Sequence, residues 1–198
     1  MFDLIQLEAA IADRMDGYRL AHTLAVKEEC LALANLFALS EEDTKALAAA
    51  ALLHDVTKAL KYPQQVELAQ KLGVDLSPED LTSPKVLHSQ TGAAVAKAEF
   101  GASDEIAAMI ACHTTGKENM SLSEKLLYLA DYIEPTRTFE DCVALRRYFY
   151  EKGDADWSAH LDRTLVLSFD MTIRLLLDDR FHIHTETIKS RNFLLQNA

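Results

Sequence analysis

Residues 40–60 read SEEDTKALAAAALLHDVTKAL, and this segment indicates an α-helix. Ser40 followed by three acidic residues is typical of a helix N-cap with an acidic first turn, and the apolar residues behind it predict a helix to about Leu60. His54 continues the apolar face of this helix, and Asp55 lies about 100° further round the same turn. A buried carboxylate there requires a cation or several hydrogen-bond donors, because an uncompensated charge is costly in a low-dielectric interior. The segment therefore predicts a buried helix with a polar site near its end.

The helical periodicity continues through nearly all of the chain. Apolar residues recur at intervals of three and four, and no alternating pattern longer than four residues is present. We predict further helices over residues 22–37, 63–72, 85–100, 104–113, 121–134, 139–151, 155–179 and 184–195. Pro78 and Pro84 mark a connector between two of them. We expect a single all-α domain over residues 1–198, with a core at about 15–140 that carries the site and C-terminal helices at 140–195 packed on it.

Composition and charge exclude several classes of protein. Lys and Arg number 20 and Asp and Glu number 31, which gives a formal net charge of −11, and hydrophobic residues make up 49%. The apolar content rules out a disordered chain, and an acidic chain lacks the basic face that nucleic-acid binding needs. The longest apolar run, Ala46–Leu53, is far shorter than the roughly 20 residues that span a bilayer. We expect neither nucleic acid nor membrane as a partner.

The cysteines and the first residues indicate the compartment. Cys30, Cys112 and Cys142 are odd in number and widely spaced, and they form no C-x-x-C pair. This pattern fits reduced thiols rather than a disulfide framework or a thiolate zinc site. The start of the chain lacks the basic and apolar blocks of a signal peptide. We therefore expect a cytoplasmic protein.

Four histidines and two aspartates occupy apolar helix faces, where such side chains are unusual. They are His22, His54, Asp55, His88, His113 and Asp131. A single inward histidine is most simply a core residue that bonds a backbone carbonyl. Six such side chains on five predicted helices are explained together if they converge on metal. Imidazole and carboxylate ligands without thiolate suit Fe, Mn, Co, Ni or Zn.

The number of these side chains predicts two ions. Six protein ligands are too many for one catalytic ion that must keep a position open, but they suffice for two ions if one carboxylate bridges. Asp55 is the natural bridge, because it adjoins His54 and has two oxygens to share.

Five short segments carry a resemblance to a known family. They are RLAH at 19–22, LLHDVTK at 52–58, VLHS at 86–89, HTTG at 113–116 and LADYIEPTR at 129–137. In this order they resemble the HD superfamily of metal-dependent phosphohydrolases, which fold as helical bundles. Together with TIKSRN at 187–192 they are similar to the symmetrical diadenosine tetraphosphate hydrolases of that superfamily, over about residues 15–195. Val56 departs from the family, in which an aromatic residue is common at this position, and leaves every ligand intact.

The resemblance implies how the ligands divide and which reaction they serve. The first ion would be held by His22, His54, Asp55 and Asp131, and the second by Asp55, His88 and His113. Iron is the metal that the family implies, whereas the ligand types alone equally allow Mn, Co or Ni. The implied reaction is hydrolysis of diadenosine tetraphosphate to two ADP. Two cations that share a solvent ligand lower its pKa, and we expect the resulting hydroxide to attack phosphorus without a phospho-enzyme.

Cationic and hydroxyl side chains near the ligands are candidates for contacts with the substrate. Lys58 lies one helical turn after His54 and is expected to hold phosphate, the alternative being a solvated helix end. Arg137 offers a forked guanidinium, and Thr114 either contacts phosphate or stops its helix. His182 is a base or ribose contact by the resemblance and otherwise an exposed residue. The expected substrate contacts are Arg19, His22, Lys58, His88, His113, Thr114, Arg137 and His182, and the expected catalytic residues are Asp55 and Lys58.

Two rival functions use the same residues. Another HD-type phosphohydrolase, such as a 5′-nucleotidase or a phosphodiesterase, would need the same ligands. A non-catalytic helical sensor that binds a nucleotide is disfavoured, because none of the six ligand positions is lost. The partner in each case is a small nucleotide, and the sequence leaves open whether the chain forms a homodimer.

Overall fold

The computed structural model describes residues 3–151 and 156–197, and within these ranges the chain forms eleven α-helices and no strand. The helices are α1 (Leu4–Ala12), α2 (Gly17–Leu36), α3 (Glu41–Leu53), α4 (Tyr62–Lys71), α5 (Pro78–Thr82), α6 (Leu87–Phe100), α7 (Asp104–Cys112), α8 (Leu122–Ile133), α9 (Glu140–Glu151), α10 (Trp157–Asp178) and α11 (Thr185–Asn197). The all-α prediction is confirmed. The predicted start of one helix at residue 155 lies outside the described residues.

Local sequence signals account for most of the helix ends. The hydroxyls of Ser40, Ser103 and Ser121 each accept a hydrogen bond from the backbone N–H three residues later, as N-caps do. The side chain of Glu124 in turn accepts a hydrogen bond from the backbone N–H of Ser121, which completes a capping box. Gly101 adopts a left-handed conformation with φ of 68° and ends α6. The Ser40 cap is the signal from which the start of α3 was predicted.

The predicted extension of α3 to about Leu60 is wrong. The helix ends at Leu53, and the chain then turns tightly, with Lys58 N donating to the carbonyl of Asp55 at 3.0 Å. Neighbouring helices hold this turn, because Gln65 of α4 donates to the carbonyl of Thr57 at 2.6 Å. Tertiary hydrogen bonds replace the helical ones here, and they present Asp55 to the interior.

Two helices were not predicted. Asp3 caps α1 by accepting hydrogen bonds from the backbone N–H groups of Ile5 and Gln6. The connector expected around Pro78 and Pro84 contains the short helix α5, which begins at Pro78 after a Ser77 capping box. Proline is compatible with the first position of a helix, so Pro78, which was expected to mark a connector, is also the residue at which α5 begins.

The helices share one core of apolar side chains, which extends from Leu7 in α1 to Leu194 in α11. Helix α2 packs against α3 and α8, and α7 packs against α3 and α6. Helices α9 and α10 pack on α8, and α11 packs on α10. Among the described residues, no helix combines the length and the apolar character that crossing a bilayer requires. The packing of α2, α3, α6, α7 and α8 positions the candidate site.

Candidate metal centre

The structure brings together the six side chains that the sequence singled out as ligands. His22 lies in the second turn of α2, and Asp131 lies near the end of α8. His54 and His113 are the C-cap residues that directly follow α3 and α7, Asp55 follows His54, and His88 lies in the first turn of α6. Three overlapping groups of their ligand atoms lie within 4.8 Å of one another: His22 with His54 and Asp55, His54 with His113 and Asp131, and Asp55 with His88 and His113.

Asp55 lies at the middle of the cluster and is fully buried. Its Oδ1 lies 3.4 Å from Nε2 of His88, 3.6 Å from Nε2 of His54 and 3.8 Å from Nε2 of His113. Its Oδ2 lies 3.9 Å from Nε2 of His22. Oδ1 therefore faces three of the histidines, and Oδ2 faces the fourth.

Asp131 completes the side of the cluster opposite His88. Its Oδ1 lies 3.0 Å from Nε2 of His22 and 3.7 Å from Nε2 of His54. His54 also shares a group with His113 and Asp131, so the three groups overlap at His54, Asp55 and His113.

Hydrogen bonds at Nδ1 fix the orientation of all four imidazole rings. His54, His88 and His113 each place Nδ1 within 2.9 Å of the backbone carbonyl three residues earlier. A carbonyl oxygen only accepts, so Nδ1 of these rings carries the proton and the Nε2 lone pair points into the cluster. Nδ1 of His22 pairs instead with Oε1 of Glu134 at 3.0 Å. Such partners orient histidines that bind metal.

The interior of the cluster fits a cation. Nε2 of His88 and Nε2 of His113 lie only 3.2 Å apart, although each neutral ring presents a lone pair there. In the described part of the chain, Nε2 of His22, Nε2 of His54 and Oδ1 of Asp55 are buried without a hydrogen-bond partner. Buried acceptors in that state are costly unless a proton or a metal ion lies between them. The donor set of imidazole and carboxylate suits a divalent transition metal.

The pKa values of four of these side chains are lowered, as metal binding requires, whereas Asp131 and Glu134 raise the pKa of His22 against the effect of burial. Burial lowers the pKa of His54 to about 4, and burial together with the nearby His113 lowers the pKa of His88 to about 3, so both rings are neutral at neutral pH. Burial alone would raise the pKa of Asp55, but His54, His113 and Lys58 hold it well below its ordinary range. Arg137 and His22 do the same for the pKa of Asp131, against the effect of burial.

Cationic side chains surround the two carboxylates. Lys58 Nζ lies 3.0 Å and Arg19 Nη1 lies 3.2 Å from Oδ2 of Asp55. Arg137 Nη2 lies 2.6 Å from Oδ1 of Asp131. The three basic side chains that the sequence predicted as phosphate contacts therefore lie beside the clustered carboxylates, where they could also contact a bound anion.

A cavity of about 620 Å³ opens on the centre. His88, His113 and Asp131 line it, together with Lys58, Lys85, Thr114, Tyr132, Arg137 and Phe139. Thr114 also lines a smaller neighbouring cavity of about 160 Å³, and His182 lines only that one. His182 is exposed and pairs with Glu79 at 3.1 Å, apart from the six clustered side chains.

The sequence did not indicate a role for Glu134, which is fully buried beside His22. Its carboxylate accepts a hydrogen bond from Thr136 N at 2.6 Å and another from the Thr136 hydroxyl at 2.7 Å, which hold it against the His22 ring. Glu134 and Thr136 belong to the segment LADYIEPTR. That segment could have suggested a supporting carboxylate, but its spacing alone points to no ligand.

Comparison with known proteins agrees with this geometry. The chain matches the HD domain family over residues 19–136. It is 32% identical to the symmetrical bis(5′-nucleosyl)-tetraphosphatase of Halalkalibacterium halodurans, with 93% of each chain covered. It is 31% identical to the protein of the same name from Staphylococcus aureus, with 91% of this chain and 89% of that one covered.

A solved structure has the same fold. The crystal structure of a Clostridium acetobutylicum protein, described as an HD superfamily hydrolase involved in NAD metabolism, superposes with a TM-score of 0.88 at 32% identity, and the match covers all of both chains. The resemblance drawn from the five sequence segments is confirmed. The chain belongs to the HD domain family, and within it to the family of proteins named symmetrical bis(5′-nucleosyl)-tetraphosphatase.

Proposed function

We propose that the protein is a metal-dependent hydrolase that cleaves diadenosine tetraphosphate symmetrically to two ADP. One observation carries the proposal: six imidazole and carboxylate side chains cluster together, and three of them line a cavity with Lys58, Lys85 and Arg137. Metal ligands beside several cations suit an anionic phosphate ester or anhydride. The tetraphosphatase relatives, which match nearly the whole chain, supply the particular substrate.

The proposed cofactor is a pair of metal ions, with iron as the native metal. His22, His54, Asp55 and Asp131 would hold one ion, and Asp55, His88 and His113 the other. Bound ions supply a nucleophile from water at neutral pH and neutralise charge on the phosphoryl oxygens. The two oxygens of Asp55, which face different histidines, support two ions rather than one.

The residues of the chain position the substrate around the ions. Lys58 and Arg19 would bind phosphoryl oxygens on the Asp55 side of the centre, and Arg137 on the Asp131 side. Phosphoryl transfer depends chiefly on such positioning and charge neutralisation, and it needs no covalent intermediate. Asp55 and Lys58 are thus the proposed catalytic residues, with Asp55 acting as a ligand.

The nucleoside halves would lie further from the ions. Tyr132 and Phe139 offer aromatic faces in the large cavity, beside the basic residues. Thr114 lies between the two cavities, so it is well placed to contact a substrate that extends from one to the other. His182 remains a proposed contact for ribose or base in the smaller cavity.

The test is product analysis with the metal-loaded protein. Diadenosine tetraphosphate is incubated with protein loaded with Fe²⁺, Mn²⁺ or Co²⁺, and the nucleotides are separated by anion-exchange chromatography. We expect ADP as the only product. Equal amounts of ATP and AMP would contradict symmetrical cleavage. In a single turnover in ¹⁸O-water, the label is expected in one of the two ADP molecules and not in the protein.

The same experiment separates the rival functions. Release of inorganic phosphate and adenosine from AMP, with diadenosine tetraphosphate left intact, would indicate a nucleotidase. Tight ADP binding without turnover of any polyphosphate would indicate a sensor. The intact set of six clustered side chains favours the hydrolase over the sensor.

We further propose that the chain works as one domain in the cytoplasm, without nucleic acid. All three cysteines are free and buried, which suits a reducing compartment. The net charge of −11 opposes contact with a nucleic acid backbone. Helices α9 and α10 pack on α8, which carries Asp131, and this supports a role for the C-terminal helices in the same domain.

A further inference from the structure

The loop that follows α8 carries two side chains that contact the metal centre. Glu134 places Oε1 3.0 Å from Nδ1 of His22, and Arg137 places Nη2 2.6 Å from Oδ1 of Asp131. One loop, residues 134–137, therefore orients a histidine on α2 and an aspartate on α8. A displacement of this loop would move both.

Arg146 of α9 holds the backbone of this loop at both ends. Its Nε donates to the carbonyl of Ile133 at 2.5 Å, and its Nη2 donates to the carbonyls of Glu134 at 2.5 Å and Arg137 at 2.9 Å. Three carbonyl oxygens thus share one guanidinium, whose planar fork of donors suits several acceptors at once.

The position of Arg146 has an electrostatic reason. Helix α8 ends at Ile133, and the last carbonyls of a helix lack intrahelical partners and carry the negative end of the helix dipole. A cation that donates to these carbonyls satisfies them and favours the helix end. The same contacts reach past the helix to Arg137, so they fix the loop as well as the helix.

We propose that Arg146 is a positioning residue of the metal centre. It holds the loop 134–137 so that Glu134 orients the Nε2 of His22 toward the cluster and Arg137 supports Asp131. The proposal rests on the proposed function only in treating His22 and Asp131 as metal ligands. It assigns to the C-terminal part of the chain a role in metal binding.

The test measures metal affinity, which does not require turnover. Co²⁺ is titrated into the metal-free full chain, and its visible absorption bands report both affinity and ligand geometry. Loss of a supporting contact typically costs 10–100-fold in metal affinity, so we expect Arg146→Met to bind Co²⁺ at least about tenfold more weakly, with altered bands. The matched control is Arg147→Met, which removes the same charge from the neighbouring, exposed position of α9. We expect this control to bind Co²⁺ like the unaltered protein.

A double-mutant cycle tests the route through Glu134. If Arg146 acts on His22 by way of Glu134, the loss of affinity in the double variant with Glu134→Ala is smaller than the product of the two single losses. Independent losses of affinity that multiply would overturn this route. Thermal unfolding of each metal-free variant shows whether the substitution lowers the stability of the fold, apart from any effect on Co²⁺ affinity. Lower stability of Arg146→Met with unchanged Co²⁺ affinity would show that Arg146 only stabilises the fold.

Arg146→Lys keeps the test decisive if the methionine variant does not fold. Lysine retains the charge but presents a single ammonium, so we expect it to bind Co²⁺ more weakly than the unaltered protein. Co²⁺ affinity equal to that of the unaltered protein would show that the guanidinium fork is not needed. These outcomes do not depend on the identity of the substrate. Failure of the unaltered protein to cleave diadenosine tetraphosphate would count against the proposed function alone.

Discussion

Nε2 of His88 lies 3.2 Å from Nε2 of His113, while Nδ1 of each ring donates to a backbone carbonyl. Two lone pairs that face each other at this distance repel unless a cation lies beside both. Asp55 Oδ1 faces the same point from 3.4 and 3.8 Å. The fold therefore holds an arrangement that is unfavourable by itself and favourable around metal.

Removal of metal should consequently lower the stability of the protein. A ligand present at 100 times its Kd adds about 2.7 kcal/mol to the stability of the native state. We expect the melting temperature to fall when a chelator strips the metal and to recover when Mn²⁺, Co²⁺ or Fe²⁺ is added. Differential scanning calorimetry on metal-free and reloaded protein measures this. An unchanged melting temperature would contradict the metal assignment.

Asp55→Asn provides the control for this prediction. Asparagine preserves the shape of the side chain but removes the negative charge shared by the two ligand groups. We expect this variant to retain little metal by elemental analysis, to show little metal-dependent stabilisation and to lose hydrolytic activity. Asp104→Asn, at an exposed position paired with Lys97, should behave like the unaltered protein in all three measurements.

Replacement of Lys58 should weaken substrate use and spare the metal. Lys58 lies beside Asp55 and lines the cavity, but an ammonium is not a metal ligand. A hydrogen bond to a charged group contributes about 1.5–3 kcal/mol, so kcat/KM for Lys58→Met should fall at least about tenfold. The matched control is Lys71→Met at the exposed end of α4. Equal kcat/KM for Lys58→Met and the control would place Lys58 outside the reaction.

Gly116→Ala should strongly destabilise the fold. Gly116 has φ of 66°, and an added Cβ would lie 2.6 Å from Cζ of Phe169 and 2.8 Å from Oγ of Ser190. Gly73 has φ of 69° but nothing within 4 Å of the corresponding position. The left-handed backbone costs about 1–2 kcal/mol in both alanine variants, and overpacking adds about 1–3 kcal/mol at Gly116 only. Urea unfolding measures the free energy of unfolding of the two alanine variants. Equal losses would contradict the close packing of Phe169 in α10 and Ser190 in α11 on Gly116.

Glu79 should contribute stability that acid removes. Its carboxylate accepts hydrogen bonds from the side chain and the backbone N–H of Thr185 and from His182, and these lower its pKa from 4.5 to about 2. A lowered pKa favours folding above the unfolded value, so the contribution is complete above pH 4.5 and is lost as the pH falls toward 2. Solvent screens this partly exposed group, so the effect is modest.

The measurement for Glu79 is a difference between variants. We expect Glu79→Gln to be less stable than the unaltered protein in urea at pH 7, and we expect the gap to narrow steadily from pH 4.5 downward. Glu67→Gln, at an exposed position on α4, corrects for general effects of acid. A gap that stays constant over this range would show that Glu79 does not tether α11 to α5.

Sequence periodicity was sufficient for nine of the eleven helices in the described part of the chain and for the inward orientation of the six side chains. His22 and His113 each continue an apolar face, and any helical packing of those faces buries them. The sequence did not reveal where α3 ends, because the side chain of Gln65 and the carbonyl of Thr57 meet only in the folded protein. A helix end that depends on a hydrogen bond from another helix has no local signal.

The spacing of residues along the sequence also did not identify Glu134 and Arg146, which support the clustered side chains. Glu134 contacts His22 across more than half of the chain, and Arg146 acts on backbone carbonyls, which every sequence possesses. Only a resemblance marked the segment around Glu134, and none marked Arg146. Residues that bind metal are recognisable by chemical type, whereas residues that orient them are recognisable by contact.

Three of the six clustered side chains lie in α2, α6 and α8, and the other three directly follow α3 and α7, so no segment holds more than two. A fragment that ends before Asp131 lacks at least one of the six side chains. The loop 134–137, which supports His22, also lacks its contact with α9 until Arg146 has been synthesised. During synthesis, therefore, the growing chain has no complete metal site until most of its residues have been added. Loading with metal would then be a late event in maturation, because the site forms only after the helices that carry its side chains have packed together.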